Sequence, residues 1–229
     1  MDIKVFLDSA NHPRFTHMLT EFAKGVGEQI GSGDSVSLEY GMYSECDVAV
    51  IFGSWKNNPA PHHVVKNTVV NYAKNFIVLE TPIIGRGPVE DIMKDDWYRM
   101  GLNGFLADTG NFNNKNRPGD RWDKIQKDLD VEMLPWVEDK DRGDYVLVAL
   151  QLPGDASLRG INISKWAYDT CHKIRKHTDR PIVIRTPQLP RQFDENTLYK
   201  LTVEIDDIQF QQGSKSNLNR AIDDAWCTV

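Results

Sequence analysis

The chain is poor in cysteine. Its three thiols, Cys46, Cys171 and Cys227, lie far apart, with no Cys-x-x-Cys pair and no Cys/His ligand spacing. That excludes a disulfide scaffold and a structural zinc site, and it suits free thiols in a reducing compartment. No apolar run approaches the roughly 20 residues that span a bilayer. The N-terminal MDIKVFLDS lacks both a basic n-region and a small-residue cleavage site, so the sequence predicts a cytoplasmic protein with no membrane segment. A surplus of positive charge is also missing. With Lys+Arg 27 against Asp+Glu 33 the formal net charge is -6, which argues against a protein that simply coats nucleic acid while leaving local basic stretches able to meet phosphate. Neither a G-x-G-x-x-G fingerprint nor a Walker A loop occurs. The acidic pairs Asp95-Asp96, Asp206-Asp207 and Asp223-Asp224 are adjacent and read as solvated or capping charges rather than as ligands of a divalent metal.

What is present is an ordinary globular composition, 40% hydrophobic and 26% charged over 229 residues, enough for one large domain or two small ones. The six tryptophans read as core anchors or as stacking platforms. Short apolar runs alternate with amphipathic stretches. Ile3 to Leu7, Val36 to Tyr40, Asp47 to Phe52 and Phe76 to Glu80 read as strands, the third apolar on both faces as a central strand is. Between them, Phe15 to Ile30 and His62 to Lys74 carry apolar residues at three- and four-residue steps, as helices do, the first stopped by Gly31 and Gly33. Alternation of this kind predicts an α/β fold with parallel strands and ligands received at their carboxyl ends. Pro82 to Pro118 breaks the rhythm and, rich in Gly, Asn and aromatics, reads as a functional loop.

A charged run, EDKDRGD, marks a domain boundary near Glu138 to Asp144, after a helix-like piece containing Trp122, Ile125 and Leu129. The expected domains are therefore 1–140 and 141–229. The second opens with the strand Tyr145 to Leu150, the loop Gln151 to Asn162, a helix bearing Ile163, Trp166, Ala167, Thr170, Cys171 and Ile174, and the strand Pro181 to Arg185. Leu201 to Ile205 alternates as a strand would, Asn217 to Asp224 reads as a short helix, and Ala225 to Val229 as the start of another buried strand.

Three places carry chemistry. In the loop PGDASLRG, Gly154 and Gly160 let backbone amides approach an anion, Ser157 adds a donor and Arg159 a charge; the same residues also suit a tight strand-to-helix turn with an exposed arginine. Lys173, Arg175, Lys176, Arg180, Arg185 and Arg191 form a basic stretch suited to a diphosphate or a nucleic-acid backbone, or else the wet face of a helix, with Arg185 set apart by its place at the end of PIVIR. Asp108 is a candidate base or a turn aspartate, and His12, His62 and His63 are the alternative bases.

The segments WYRMGLNGFLADTGNFNNKNRPGDRW, YVLVALQLPGDASLRGINISKW, RPIVIRTPQ and SNLNRAIDDAWCTV, in this order, resemble the phage-encoded GT-B glycosyltransferases related to capsule-type sugar transferases. The resemblance is one of motif order over most of the chain. It implies two Rossmann-like domains with parallel sheets and flanking helices, the first holding an acceptor and the second a nucleotide sugar, with a UDP-sugar as donor substrate and no tightly bound cofactor or metal. It implies further that Gly154, Ser157 and Arg159 lie near the donor diphosphate, Arg185 and Thr186 near the nucleoside, and that Trp97, Arg99, Asn103, Asn111 and Arg117 attend the acceptor while Asp108 takes its proton. The acceptor would be a hydroxymethylated base of phage DNA or a surface glycan, and the setting the cytoplasm of an infected bacterial host. The chain departs from the pattern after AWCTV, where relatives continue into a loop with hydroxylated residues, a glutamate and a glycine-rich turn. A partial second domain, completed by self-association or a second chain, is the expectation. The alternative is a non-catalytic Rossmann-like module that binds a nucleotide or a partner.

Overall fold

The computed structural model describes residues 1–7, 13–53, 55, 61–82, 98–106, 109–112, 119–133, 135, 143–187, 193–213, 215 and 217–229. The chain divides into two compact units, Met1–Met133 and Leu134–Val229. The charged run expected at the boundary lies mostly outside the described residues.

The first unit runs β1 (Asp2–Leu7), α1 (Pro13–Gly27), β2 (Ser35–Tyr40), β3 (Val48–Phe52), α2 (Pro61–Tyr72), β4 (Phe76–Glu80), β5 (Arg99–Leu102) and α3 (Asp120–Leu129). The sheet order is β2-β1-β3-β4-β5, the first four strands parallel and β5 antiparallel to β4. Alternate residues of the central strands feed two cores. Val5, Leu7, Val50 and Phe52 meet Met18, Leu19 and Ala23 of α1 on one face, while Phe6, Ala49, Ile51 and Val78 meet Val69 of α2 on the other. Each such side chain removed from water contributes about 1.5–3 kcal/mol, which is why β1, β3 and β4 are apolar on both sides. The order along the sheet reverses between β1 and β3, with one helix on each face.

β5 corrects the reading of Pro82 to Pro118 as loop throughout. Its residues Arg99, Met100 and Leu102 are only partly covered, so the burial that announces a strand is missing from them. What holds β5 is backbone: four residues pair antiparallel with β4, and Leu102 and Asn111 exchange N–H···O bonds of 2.9 Å.

The second unit runs β6 (Tyr145–Ala149), a single 3-10 turn (Ala156–Leu158), α4 (Ile163–Arg175), β7 (Ile182–Thr186), α5 (Glu195–Glu204), β8 (Ile208–Gln212), α6 (Leu218–Asp223) and β9 (Ala225–Thr228). All four strands are parallel, in the order β8-β7-β6-β9. Counted from β6 this is 3-2-1-4, an order compatible with a Rossmann-like half. Val148, Leu150, Ile182 and Ile184 pack on Ala167 and Cys171 of α4 and Leu198 and Leu201 of α5. On the opposite face Leu147 and Val183 meet Ala221 of α6 and Ala225, and the Tyr145 hydroxyl donates to Ala221 O at 2.8 Å.

Leu201 to Ile205 is not a strand. Asp194 caps a helix here, its side chain accepting from Thr197 N, and Leu198, Leu201 and Ile205 fall three and four residues apart on the buried face. The true third strand of the unit, IQFQQ, is a sheet edge whose residues stay partly or fully exposed, with only Ile208 packed against the core. β9 is likewise less covered than expected of AWCTV: Ala225 is buried, whereas Trp226 is 36% exposed. Among the described residues no helix is long and apolar enough to cross a membrane.

Candidate functional site

The two segments singled out in the second unit leave the same sheet edge side by side. Ala149 stands opposite Arg185 in the β6–β7 register, and Leu150 N donates to Arg185 O at 2.9 Å. The loop 151–162 thus rises from β6 next to the residues that follow β7. It also stands where the strand order reverses, between β6 and β9, the place at which open α/β sheets receive ligands.

The loop is built from within. Asp155 N donates to Leu152 O and Leu158 N to Asp155 O, both at 3.1 Å, and the Asp155 carboxylate accepts from Ser157 N at 2.8 Å and Ser157 Oγ at 2.7 Å. Gly154 has φ 71, Arg159 φ 50 and Gly160 φ 83, so three left-handed residues turn the chain into α4, whose first turn is capped by Asn162 accepting from Lys165 N at 3.0 Å. For Arg159 that conformation costs roughly 1–2 kcal/mol, strain of the sort found at ligand-holding turns. Its side chain is exposed.

Arg185 is arranged differently. It is 7% exposed and donates to Gln211 Oε1 at 2.6 Å and, more weakly, to Gly213 O at 3.5 Å. It shares the sheet face of Val183, the α6 side, whereas the loop 151–162 leads to α4 on the other face. The segments adjoin at the backbone while the Arg185 guanidinium reaches along the sheet toward β8. Thr186 is half-buried, and its carbonyl accepts from Gly213 N at 2.9 Å.

The basic stretch is dispersed by the fold. Arg175 donates to Thr178 O, Arg180 O and Asp206 O at 3.0, 2.9 and 2.7 Å, closing the turns after α4 and before β8. Arg180 donates to Gly143 O at 3.0 Å and covers the Trp226 ring at 5.0 Å. Both serve the amino edge of the sheet, opposite the edge from which the loop 151–162 rises. Lys173 and Lys176 lie on the outer face of α4 beside Tyr168 and His172. Cys171 is fully buried, and burial pushes its thiol up to about 11.

In the first unit, Trp97, Asp108 and Arg117 lie outside the described residues, as does His12. Asn103 has φ 58 and exchanges bonds with Phe76, whose N donates to its Oδ1 at 3.0 Å and whose carbonyl accepts its N–H at 2.7 Å. Asn111 bridges to Leu102 through its backbone. Arg99 Nε donates to Thr81 O at 3.0 Å. The glycines here serve close backbone approach: a Cβ on Gly101 would stand 2.1 Å from Gly104 O, and one on Gly110 2.7 Å from the same atom.

Two residues that the sequence did not bring forward stand at the carboxyl edge of this sheet. Lys66 belongs to the inner face of α2, three residues before the buried Val69, and Glu80 closes the apolar strand FIVLE. Burial pulls the Lys66 amine below its ordinary pKa, with Glu80 opposing the shift. The available signal was a lysine placed on an apolar helical stripe.

Each unit is an α/β arrangement with a sheet of mostly parallel strands and flanking helices, compatible with a Rossmann-like half. No family model, no curated protein and no solved structure matches the chain.

Proposed function

We propose that the chain is a nucleotide-sugar-dependent glycosyltransferase of the GT-B kind, with Leu134–Val229 as the donor half and Met1–Met133 as the acceptor half, both Rossmann-like. The observation that carries the reading is the adjacency of the loop 151–162 and the end of β7 at the carboxyl edge of the second sheet, next to the reversal of strand order between β6 and β9. The donor diphosphate is received by the backbone of Gly154 to Gly160 and by the exposed Arg159, and the nucleoside by the segment after Arg185 and Thr186. In the transfer, the acceptor hydroxyl oxygen bonds to the anomeric carbon as the bond from that carbon to the diphosphate breaks. The hydroxyl proton passes to a carboxylate of the acceptor half, for which Asp108 is the candidate, and the departing nucleoside diphosphate is stabilised by amides and arginine. The acceptor is a modified base of phage DNA or a surface glycan, met in the cytoplasm of an infected host.

Calorimetric titration of the full chain with UDP and UDP-glucose tests the proposal. Binding that weakens in Arg159→Ala supports it, and the absence of heat with every common nucleotide sugar at millimolar ligand overturns it.

A second reading rests on a specific observation. The donors of Ser157 are taken by Asp155, and Arg185 is held by Gln211 and Gly213, so the groups that would grip a phosphate already have protein acceptors. This favours a nucleotide- or partner-binding module without turnover. Nucleotide binding with no sugar transfer or hydrolysis would select it.

A further inference from the structure

The edge strands of the two sheets differ in length and in cover. β5, β8 and β9 have four or five residues each, and Asn111 bridges the outer side of β5 at Leu102. β2 is the longest, six residues paired with β1 in one unbroken parallel register. Ser35 N donates to Met1 O at 2.9 Å, and that bond fixes the phase of the ladder: Ser35, Ser37 and Glu39 turn their amides and carbonyls to β1, whereas Val36, Leu38 and Tyr40 turn theirs away from the sheet. Among the described residues those outward groups meet no partner. The side chains of the same three residues share the α1 face, where Val36 packs against the core while Leu38 is 37% and Tyr40 73% exposed. Nothing in SVSLEY blunts the edge. It holds no proline, lysine or arginine, and its one charge, Glu39, lies on the other face and accepts from Ser37 Oγ at 2.8 Å.

We propose that β2 is a self-association edge, pairing antiparallel with β2 of a second copy of this chain about a two-fold axis at Leu38, so that the two five-stranded sheets join into one. The strand's own residues select that occupant and that register. With the axis at Leu38, its outward amide and carbonyl exchange hydrogen bonds with those of Leu38 in the other copy, and Val36 of each copy does the same with Tyr40 of the other. The exchange sets a β-branched side chain opposite an aromatic one on both sides of the axis, a favourable cross-strand pair, and it sets Ser37 opposite Glu39. No like charges face each other. An axis at Glu39 would bring its two carboxylates together, and an axis at Ser37 would set Tyr40 opposite Asp34 and give up the apolar pair. Because the axis stands perpendicular to the sheet, the exposed Leu38 and Tyr40 of both copies lie on the α1 side and cover one another, the self-complementarity that a two-fold contact requires. A strand of another sequence gains the backbone bonds without this match. The edge belongs wholly to the first unit and does not depend on the glycosyltransferase reading.

Sedimentation equilibrium of the full chain, with hydrogen exchange of its amides read residue by residue by NMR, tests the proposal. The wild type is expected at twice the chain mass at high micromolar concentration. On dilution the outward amides of Val36, Leu38 and Tyr40 should lose protection, while those of Ser37 and Glu39, bonded to β1, keep theirs. Leu38→Lys should weaken the dimer by about tenfold or more, since two like charges then face each other at roughly 5 Å and two leucines lose their cover. Leu38→Pro, which removes an outward N–H without touching a bond to β1 and is of the kind edge strands accept, should do the same. Should both variants fail to fold, the concentration dependence of exchange in the wild type decides. Phe210→Lys, on the β8 edge, should leave the mass of the wild type unchanged. A monomer at these concentrations, outward amides that exchange at one rate whatever the concentration, a dimer that survives Leu38→Lys, or one that Phe210→Lys dissociates would each overturn the proposal. UDP binding is measured separately, so the two proposals fail or stand independently.

Discussion

Asp155→Asn separates a phosphate-receiving loop from a plain turn. In the native loop the Asp155 carboxylate accepts from the amide and the hydroxyl of Ser157 at 2.8 and 2.7 Å. An asparagine oxygen can accept both bonds, so the turn persists and thermal unfolding drops little. What changes is the charge. A donor diphosphate lying over Gly154 to Gly160 comes within roughly 5 Å of that carboxylate, where two like charges in water-like surroundings repel by about 1 kcal/mol. Removing the repulsion should tighten UDP binding by about fivefold, since 1.4 kcal/mol is a factor of ten. The gain should shrink in 1 M salt, where charges are screened beyond about 3 Å. Calorimetry at low and high ionic strength reads both effects. UDP affinity unchanged or weakened in Asp155→Asn, with the fold intact, refutes the placement of the diphosphate on this loop.

Other consequences concern the scaffold. Arg175→Met should destabilise the second unit by about 2–3 kcal/mol in urea unfolding, because three carbonyls lose a charged donor at turns on the amino edge, while UDP affinity stays as it was. Gly101→Ala should cost about 3 kcal/mol or more in the first unit, since the added carbon meets Gly104 O at 2.1 Å and β5 must shift away from β4; a melting temperature equal to wild type would contradict the β4–β5 pairing. Cys171 should resist a thiol reagent at pH 8 in the folded chain, being fully buried with its thiol raised to about 11, and should react at the rate of Cys227 only after denaturation.

Where side chains are buried on both faces, the elements were legible from residues alone. DVAVIF, FIVLE, YVLVAL and PIVIR form β3, β4, β6 and β7 within a residue or two of the expected spans, because an apolar strand of that length has few alternatives to a sheet centre. The helices bearing Leu19 and Ala167 followed from their three- and four-residue repeats. Of the four edge strands, β2 and β9 were expected and β5 and β8 were missed. RMGL and IQFQQ are held by backbone pairing and leave their side chains partly in water, so they lack the continuous apolar run of a central strand. LTVEI alternates as a strand would, but the Asp194 cap ahead of it and the spacing of Leu198, Leu201 and Ile205 make it helical.

The candidate site divides along the same line. The amino-acid order by itself determined that this is an α/β chain and that PGDASLRG follows one central strand, since both depend on contiguous residues. It did not distinguish Arg175 and Arg180, spent on carbonyls at the amino edge, from Arg185 on the far side of the same sheet, nor bring Lys66 to Glu80 over Gly53. Those outcomes were decided by the tertiary structure alone. Which edge of a sheet a residue occupies, and which distant carbonyl or carboxylate it meets there, depends on the direction of the helical crossovers and the order of the strands, and neither is written in any local stretch of chain.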